Sequence, residues 1–548
     1  MSFKVAVIQS NFIVGYTEAN LERIKVLYEM AVLLGADLVV FPEMAICGYP
    51  AEDIVFNKEF QKINMQAIET LAPITTQGAA ILIGGIYSED DKLYNAAFLL
   101  DEGKILYKQF KYHLPNHGVF DEKRTFIQGI MPEPVEWRGL KLGLLICADG
   151  WQQDVAEHLK QKGAEILISV NAEPFEVNIA EDRESVSSKR AQENNLPLIY
   201  VNHVGGQDDL VFDGGSFALS AQGNIVMRMP VFKDDIQIVR LHKRENQWEL
   251  TPSIVTPRRP DEENIYQAMM LGLRDFVYKN GFNGVLVGMS GGIDSALSAA
   301  IAVDALGAEK VRGIMLPSPF TSQASTDDAK KCAELLGIKI DAIPIEQGMH
   351  AFVNMLAAEC DDKVPDVLSE SHQTRLRANI LMAISHKDRL LLLNTGNKSE
   401  VAVGYTTIYG DMCGHYSVLK DAYKTTVYKL ANWRNSRSRV IPKNIITKPP
   451  SAELHANQKD QDTLPAYELL DKILSLLVEE NLSVDEVISR GFESTEVKHV
   501  AEMLFFAEYK RRQSCPGVKI SNMAFWRDRR YPISSGWRGE KLPLKLQN

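Results

Sequence analysis

A chain of 548 residues is too long for one hydrophobic core, so about two to four domains are expected. Its 45% hydrophobic and 24% charged residues are ordinary for globular protein, and a net charge of −11 excludes a nonspecific nucleic-acid binder. No apolar run reaches the ~18 residues of a membrane span, and the opening Met1-Ser-Phe-Lys-Val-Ala-Val-Ile lacks a signal-peptide layout.

The first elements alternate. Residues 3–9 predict a strand, 18–34 a helix stopped by Gly35, and 36–40 a second strand running into Phe41-Pro42-Glu43. Further strands fit 80–86, 95–100, 105–110, 140–146, 166–170 and 198–202, with a hairpin near Asp101-Glu-Gly. This is a layered α/β domain. Three polar residues stand just past strand ends, where such folds gather chemistry: Glu43, Lys111 and Cys147. Together they suffice for amide hydrolysis. The thiolate attacks, and a nearby cation is expected to lower its pKa. The carboxylate relays the proton, and the ammonium stabilises the oxyanion. Six cysteines, Cys47, Cys147, Cys332, Cys360, Cys413 and Cys515, lie far apart with no C-x-x-C pair. Reduced thiols in a cytoplasm are the expectation, with one catalytic.

After a strand at 236–241 the chain turns polar, and residues 246–264, with Pro252, Pro257 and Pro260, read as a connector. The domains expected are 1–245 and 265–548. A helix over 265–279 precedes Val285-Leu-Val-Gly-Met-Ser-Gly-Gly-Ile-Asp-Ser295. A short apolar strand, a glycine turn and a helix start place free backbone N–H groups and a helix dipole at one point. Gly288, Met289, Ser290, Gly291, Gly292, Ile293, Asp294 and Ser295 therefore form a candidate anion loop. No Gly-Lys-Ser/Thr ending follows, which excludes the phosphate loop of common kinases and GTPases. Strands at 311–316, 338–345 and 390–394 and helices at 325–336 and 372–386 continue the alternation, predicting a doubly wound parallel sheet. Thr395-Gly-Asn-Lys-Ser-Glu400 also follows a strand and faces the same crevice. Asp294 and Glu400 are the carboxylates expected to hold magnesium.

The first-half motifs, Phe41-Pro-Glu43, Lys111-Tyr-His-Leu-Pro-Asn116 and Cys147-Ala-Asp-Gly-Trp151, resemble the nitrilase superfamily, an α-β-β-α sandwich. The loop at 288–295 resembles that of the ATP pyrophosphatases, of the adenine nucleotide α-hydrolase-like fold. With Tyr409-Gly-Asp411, Leu419-Lys-Asp-Ala-Tyr-Lys424, Lys448-Pro-Pro-Ser-Ala-Glu-Leu454 and Tyr509-Lys-Arg-Arg-Gln513, nearly the whole chain resembles the glutamine-dependent NAD synthetase family. The resemblance implies a homo-oligomeric ligase that amidates deamido-NAD to NAD through an adenylate. It uses ATP and magnesium, with ammonia released from L-glutamine and passed within the protein.

On that resemblance Glu43, Lys111 and Cys147 are the amidase triad and Glu122 the additional glutamate beside it. Thr395 and Lys420 join the loop around ATP. Ser371, Glu400, Asp411 and Lys510 meet deamido-NAD, and Ser451 lends a hydroxyl to a second metal. The glutamine pocket departs from the family. His117 stands where a tyrosine is usual, Glu173 and Ile179 where a serine and a lysine are usual, and Ala148 follows the nucleophile in place of glutamate. Ser371 stands where asparagine is common. An ammonia-dependent enzyme with an impaired amidase is the alternative. The basic tail of Lys510, Arg511, Arg512, Lys519, Arg527, Arg529 and Arg530 reads either as a solvated face or as a lid over the dinucleotide.

Overall fold

The computed structural model describes residues 2–245, 247–356 and 366–537; Cys360 lies outside them. The other five cysteines are free thiols. Two compact units meet in sequence between Arg259 and Pro260.

The first unit holds two sheets. The strands of the larger are β1 (Ser2–Gln9), β2 (Leu38–Val40), β3 (Ala80–Glu89), β4 (Lys92–Asp101) and β5 (Lys104–Phe110). In the smaller are β6 (Val135–Trp137), β7 (Leu140–Ile146), β8 (Ile166–Asn171) and β9 (Leu198–Asn202). A separate hairpin, β10 (Val204–Gln207) and β11 (Leu210–Asp213), follows. The smaller sheet is completed by β12 (Phe217–Leu219) and β13 (Ile225–Arg228), the larger by β14 (Asp235–Arg244) and β15 (Gln247–Leu250). Their orders are β15-β14-β1-β2-β3-β4-β5 and β13-β12-β9-β8-β7-β6.

Side chains alternate across each strand, and both faces are buried. Val5, Val7, Leu38 and Val40 meet Leu144, Ile146 and Ile168 between the sheets. Ala6, Ile8 and Val39 face the other way, under helices Thr17–Leu33 and Lys58–Leu71. Leu145, Leu167 and Leu198 pack under Gln153–Gln161 and Ile179–Asn194. The result is a four-layer α-β-β-α sandwich. Double-sided burial is why the strands read as unbroken apolar runs. The stretch expected as a connector begins instead as an edge strand. Trp248 and Leu250 alternate inward against β14, and Arg228 N donates to Ile254 O at 3.0 Å.

The second unit is built on one parallel sheet, β16 (Gly284–Gly288), β17 (Val311–Met315), β18 (Lys339–Ala342), β19 (Leu390–Asn394) and β20 (Tyr416–Ser417), in the order β18-β17-β16-β19-β20. The chain winds outward from β16 to β18, then crosses to β19. The loops after β16 and β19 therefore share the crevice at the switch point. A helical cluster over Tyr467–Val478 and Ser494–Phe506 buries Val401, Ala402, Val403 and Phe525. The basic tail is not a solvated face. Arg511, Lys519 and Arg529 are buried, with Lys519 paired to Asp528 at 3.3 Å and Arg511 to Glu508 at 2.9 Å.

Candidate functional site

In the first unit the side chains converge from separate strand ends. Glu43 follows β2, Lys111 follows β5, Cys147 follows β7, and Glu122 opens the short helix Glu122–Thr125. Lys111 Nζ donates to Glu43 Oε1 at 2.8 Å and to Glu122 Oε1 at 2.9 Å. Asn95 Nδ2 and the Ala172 amide fix the two oxygens of Glu43 at 2.7 and 2.8 Å. Tyr49 OH donates to Glu122 Oε1 at 2.9 Å, and Glu122 Oε2 is buried without a partner. Glu43 reaches this place because β3 lets it: a Cβ on Gly84 would stand 2.2 Å from Met44 N and 2.5 Å from Glu43 Cα.

Cys147 sits on a strained turn, φ 47° and ψ −98°, a conformation that costs about 1–3 kcal/mol. Asp149 ties the turn to the lysine's own loop. Its carboxylate accepts from Ile146 N on one side and from Tyr112 N and His113 N on the other, at 2.8–3.2 Å. Burial pushes Asp149 up to about 6 despite these donors. The thiol differs from expectation. Burial drives its pKa well up, Glu43 adds to this, and Lys111, which pulls it down, does not prevail. Burial would depress Lys111, but Glu122 and Glu43 outweigh it and hold the ammonium charged. The resting pair is therefore a thiol and an ammonium, and the proton of Cys147 needs a base.

Glu173, two residues past β8, acts on the charge of Cys147 too. Its carboxylate accepts from Tyr200 OH at 2.6 Å and pairs with Arg183 at 3.3 Å, while Arg183 also holds Asp213 at 2.7 Å. Ile179 opens helix Ile179–Asn194 and is buried. His117 is exposed on the loop after β5, its ring 5.9 Å from that of Phe120.

In the second unit a cleft of about 360 Å³ opens at the switch point. Gly288, Met289, Ser290, Gly292, Ile293, Asp294 and Ser295 line one wall. Gly291 shapes it from behind: at φ 81°, a Cβ there would stand 2.2 Å from Ser325 O. The serine hydroxyls brace the turn. Ser290 Oγ lies 3.0 Å from Ser295 Oγ and accepts from Gly292 N, and Ser295 Oγ donates to Gly292 O. Thr395, Glu400, Asp411 and Ser451 line the cleft as well.

Between Asp294 and Glu400 stands Lys424, its Nζ 2.5 Å from Asp294 Oδ2 and 3.3 Å from Glu400 Oε1. Asn397 caps the helix that carries Glu400 and donates its Nδ2 to Asp294 Oδ1 at 3.1 Å. Burial raises Glu400 to about 8; Lys424 opposes this and Asp294 adds to it. Burial would lower Lys424, but Asp294 and Glu400 dominate and raise it. Asp460 also lines the cleft and acts on Lys424. Asp294 and Glu400 on one ammonium, with Asp460 acting on it from the same cleft, form an oxygen-rich corner; among the described residues no group of three or more Asp, Glu, His or Cys holds a metal by itself, so a hard divalent cation there would be completed by phosphate oxygens.

Lys420 does not line the cleft and packs beside Gly517 instead. Ser371 lies about one helical turn before Thr374 and nearly two before Arg377, which do line it. Lys510 Nζ donates to Gly404 O and Thr406 O, both at 2.7 Å, closing the end of the Glu400 helix. Sequence reasoning missed Asn95, Asp149, Asn397, Arg377 and Lys424. Lys424 carried one signal: it opens helix Lys424–Arg437, where a cation opposes the helix dipole.

The two units define a class: a nitrilase-like sandwich joined in one chain to a doubly wound nucleotide fold. The carbon-nitrogen hydrolase family matches residues 4–249 and the NAD synthase family residues 265–514. The chain is 44% identical to the glutamine-dependent NAD(+) synthetase of Rhodobacter capsulatus, covering 98% of this chain and 99% of that one. It is 40% identical to that of Acinetobacter baylyi, with the same coverage. The solved glutamine-dependent NAD+ synthetase of Acinetobacter baumannii, in complex with adenosine diphosphate, is similar at TM-score 0.79 and 38% identity, over 99% of this chain and 100% of that one. This chain belongs to the glutamine-dependent NAD(+) synthetase family.

Proposed function

We propose that this protein amidates deamido-NAD to NAD, driven by ATP, with nitrogen from L-glutamine. The observation that carries the reading is one chain holding both a buried Glu43–Lys111–Glu122 network at Cys147 and an anion loop whose Asp294 shares Lys424 with Glu400.

In the first unit Glu43 takes the thiol proton as sulfur attacks the glutamine amide, because the thiol does not ionise alone. The tetrahedral oxygen gathers negative charge, and Lys111 meets it without reorganising. Glu43 returns the proton to the leaving nitrogen, so ammonia departs. Water then cleaves the thioester to glutamate, restoring the thiol. Glu122 holds Lys111 in line. Glu173 takes the α-ammonium of glutamine, with His117 and Ile179 bordering the pocket. The complete, buried network argues against the impaired-amidase alternative.

In the second unit the nicotinate carboxylate attacks the α-phosphate of ATP and expels pyrophosphate. The N–H groups of Ile293, Asp294 and Ser295, in the first turn of helix Ile293–Leu306, bind phosphate, with Thr395 beside them and Lys424 facing the charge that grows on the leaving group. Asp294 and Glu400 would hold magnesium, which would neutralise phosphate charge when bound, and the Ser451 hydroxyl would serve a second ion. Ser371, Asp411 and Lys510 position deamido-NAD. Ammonia then displaces AMP. Among the described residues no helix is long and apolar enough to cross a membrane. A cytoplasmic homo-oligomer fits the free thiols and the family.

Pyrophosphate release tests the reading. It should require ATP, magnesium and deamido-NAD together, and proceed with either ammonia or glutamine. Chelating the metal should stop it while glutamine hydrolysis continues. Release without deamido-NAD would refute the assignment.

A further inference from the structure

We infer that Lys424 is an internal counter-ion that keeps divalent metal out of the Asp294–Glu400 pair until nucleotide arrives. The inference rests on the proposed metal role of those carboxylates.

Every oxygen of the two acids already has a donor. Asp294 Oδ2 and Glu400 Oε1 accept from Lys424, Asp294 Oδ1 from Asn397 Nδ2, and Glu400 Oε2 from Asn397 N at 3.2 Å. The ammonium lies within hydrogen-bond reach of both carboxylates, on the site a bridging cation would take. Magnesium dehydrates reluctantly and wants ligands near 2.0–2.1 Å, so an ion and an ammonium cannot share that point. Like charges also repel strongly in a half-dry cleft.

The backbone beneath is fixed. Asp304 lies ten residues past Asp294 and Arg434 ten past Lys424, and this second pair is bidentate at 2.5 and 3.0 Å, with Tyr266 OH on Asp304 at 2.6 Å. Two ion pairs at equal offset stitch the helices Ile293–Leu306 and Lys424–Arg437 side by side in the same direction. With the helices tied at Asp304 and Arg434, the lysine side chain can leave without a shift of the backbone. The charge that draws it off is the triphosphate, because a phosphate chain in the cleft offers the ammonium new partners and frees both acids. Metal and nucleotide then enter together, and the ammonium is delivered to the phosphates in the same exchange.

Manganese binding, followed by electron paramagnetic resonance, tests this apart from activity. Nucleotide-free wild type should hold no stoichiometric manganese at micromolar concentration. Lys424→Met should bind one ion at least tenfold more tightly than wild type, and Lys424→Arg should behave as wild type. A tight site in nucleotide-free wild type overturns the inference whether or not the variants fold, as does a folded Lys424→Met without gain. With ATP present, wild type should show a protein-bound manganese signal that Asp294→Asn abolishes. Loss of that arm alone would remove the metal assignment itself, a failure separable from the first.

Discussion

Each unit carries the same local design, a buried lysine clamped by two carboxylates, and the two designs differ in what surrounds them. Lys111 with Glu43 and Glu122 has side chains 0%, 0% and 4% exposed. Lys424 with Asp294 and Glu400 has 3%, 18% and 18%. The first is sealed, and a backbone amide, Asn95 and Tyr49 fix its acids from outside. A sealed triad does one reaction on one bond, with dipoles set in advance. The second opens on a cleft, and its acids lean on Asn397, a residue of the same loop. An open triad can trade its cation for metal and phosphate. Solvent access, rather than residue type, separates a fixed catalytic lysine from an exchangeable one.

That comparison can be broken most sharply at the nucleophile. Cys147→Ala should lower glutamine-driven synthesis at least ~10³-fold and leave ammonia-driven synthesis within about twofold. Parallel loss of both would show that the sealed site serves more than nitrogen release. Lys424→Met should have the complementary pattern. Ammonia-driven synthesis should fall about 10²–10³-fold, with the chemical step affected more than substrate affinity, while glutamine hydrolysis persists. An unchanged kcat would remove Lys424 from the phosphate chemistry.

The resting thiol gives a pH test. Burial and Glu43 raise its pKa, so the reactive thiolate is scarce at neutral pH and grows as pH rises. Alkylation of Cys147 by iodoacetamide without substrate should climb about tenfold per pH unit from 7 to 9. A plateau near pH 7 would mean that Lys111 prevails after all. The smallest effect is expected at the pocket's edge. Glu173→Gln should raise the KM for glutamine about tenfold with little change in kcat, as loss of one ion pair to substrate does. A fall in kcat with constant KM would instead make Glu173 a support for Cys147 through Tyr200 and Arg183.

Much of this was legible in the sequence because it is local. Leu38-Val-Val announces a strand buried on both faces, and the Ser-Gly-Gly-Ile-Asp-Ser turn announces an anion loop, since each signal fits within a dozen residues. The alternation of strands and helices in both units, the doubly wound sheet and the placement of Glu43, Lys111 and Cys147 at strand ends follow from that, whereas the two-sheet sandwich comes only with the family resemblance. What stayed hidden depends on distant partners. Asn95 reads as one polar residue inside a strand, and only the fold brings it 52 residues back to Glu43. Lys420 and Lys424 are indistinguishable in a short polar run, and helix start and rotation decide that Lys424 enters the cleft. The sign of the thiol's shift is hidden from the sequence for the same reason. A neighbouring lysine is visible in a motif, whereas full burial and a second carboxylate are tertiary facts.

The decisive measurement is a single reaction with amide-15N glutamine, unlabelled ammonium in excess, ATP, magnesium and deamido-NAD, in which AMP and NAD are both counted and the NAD is weighed. One AMP per NAD, with 15N kept in the carboxamide, is the predicted result. A protein that forms no AMP under either nitrogen supply would contradict the account.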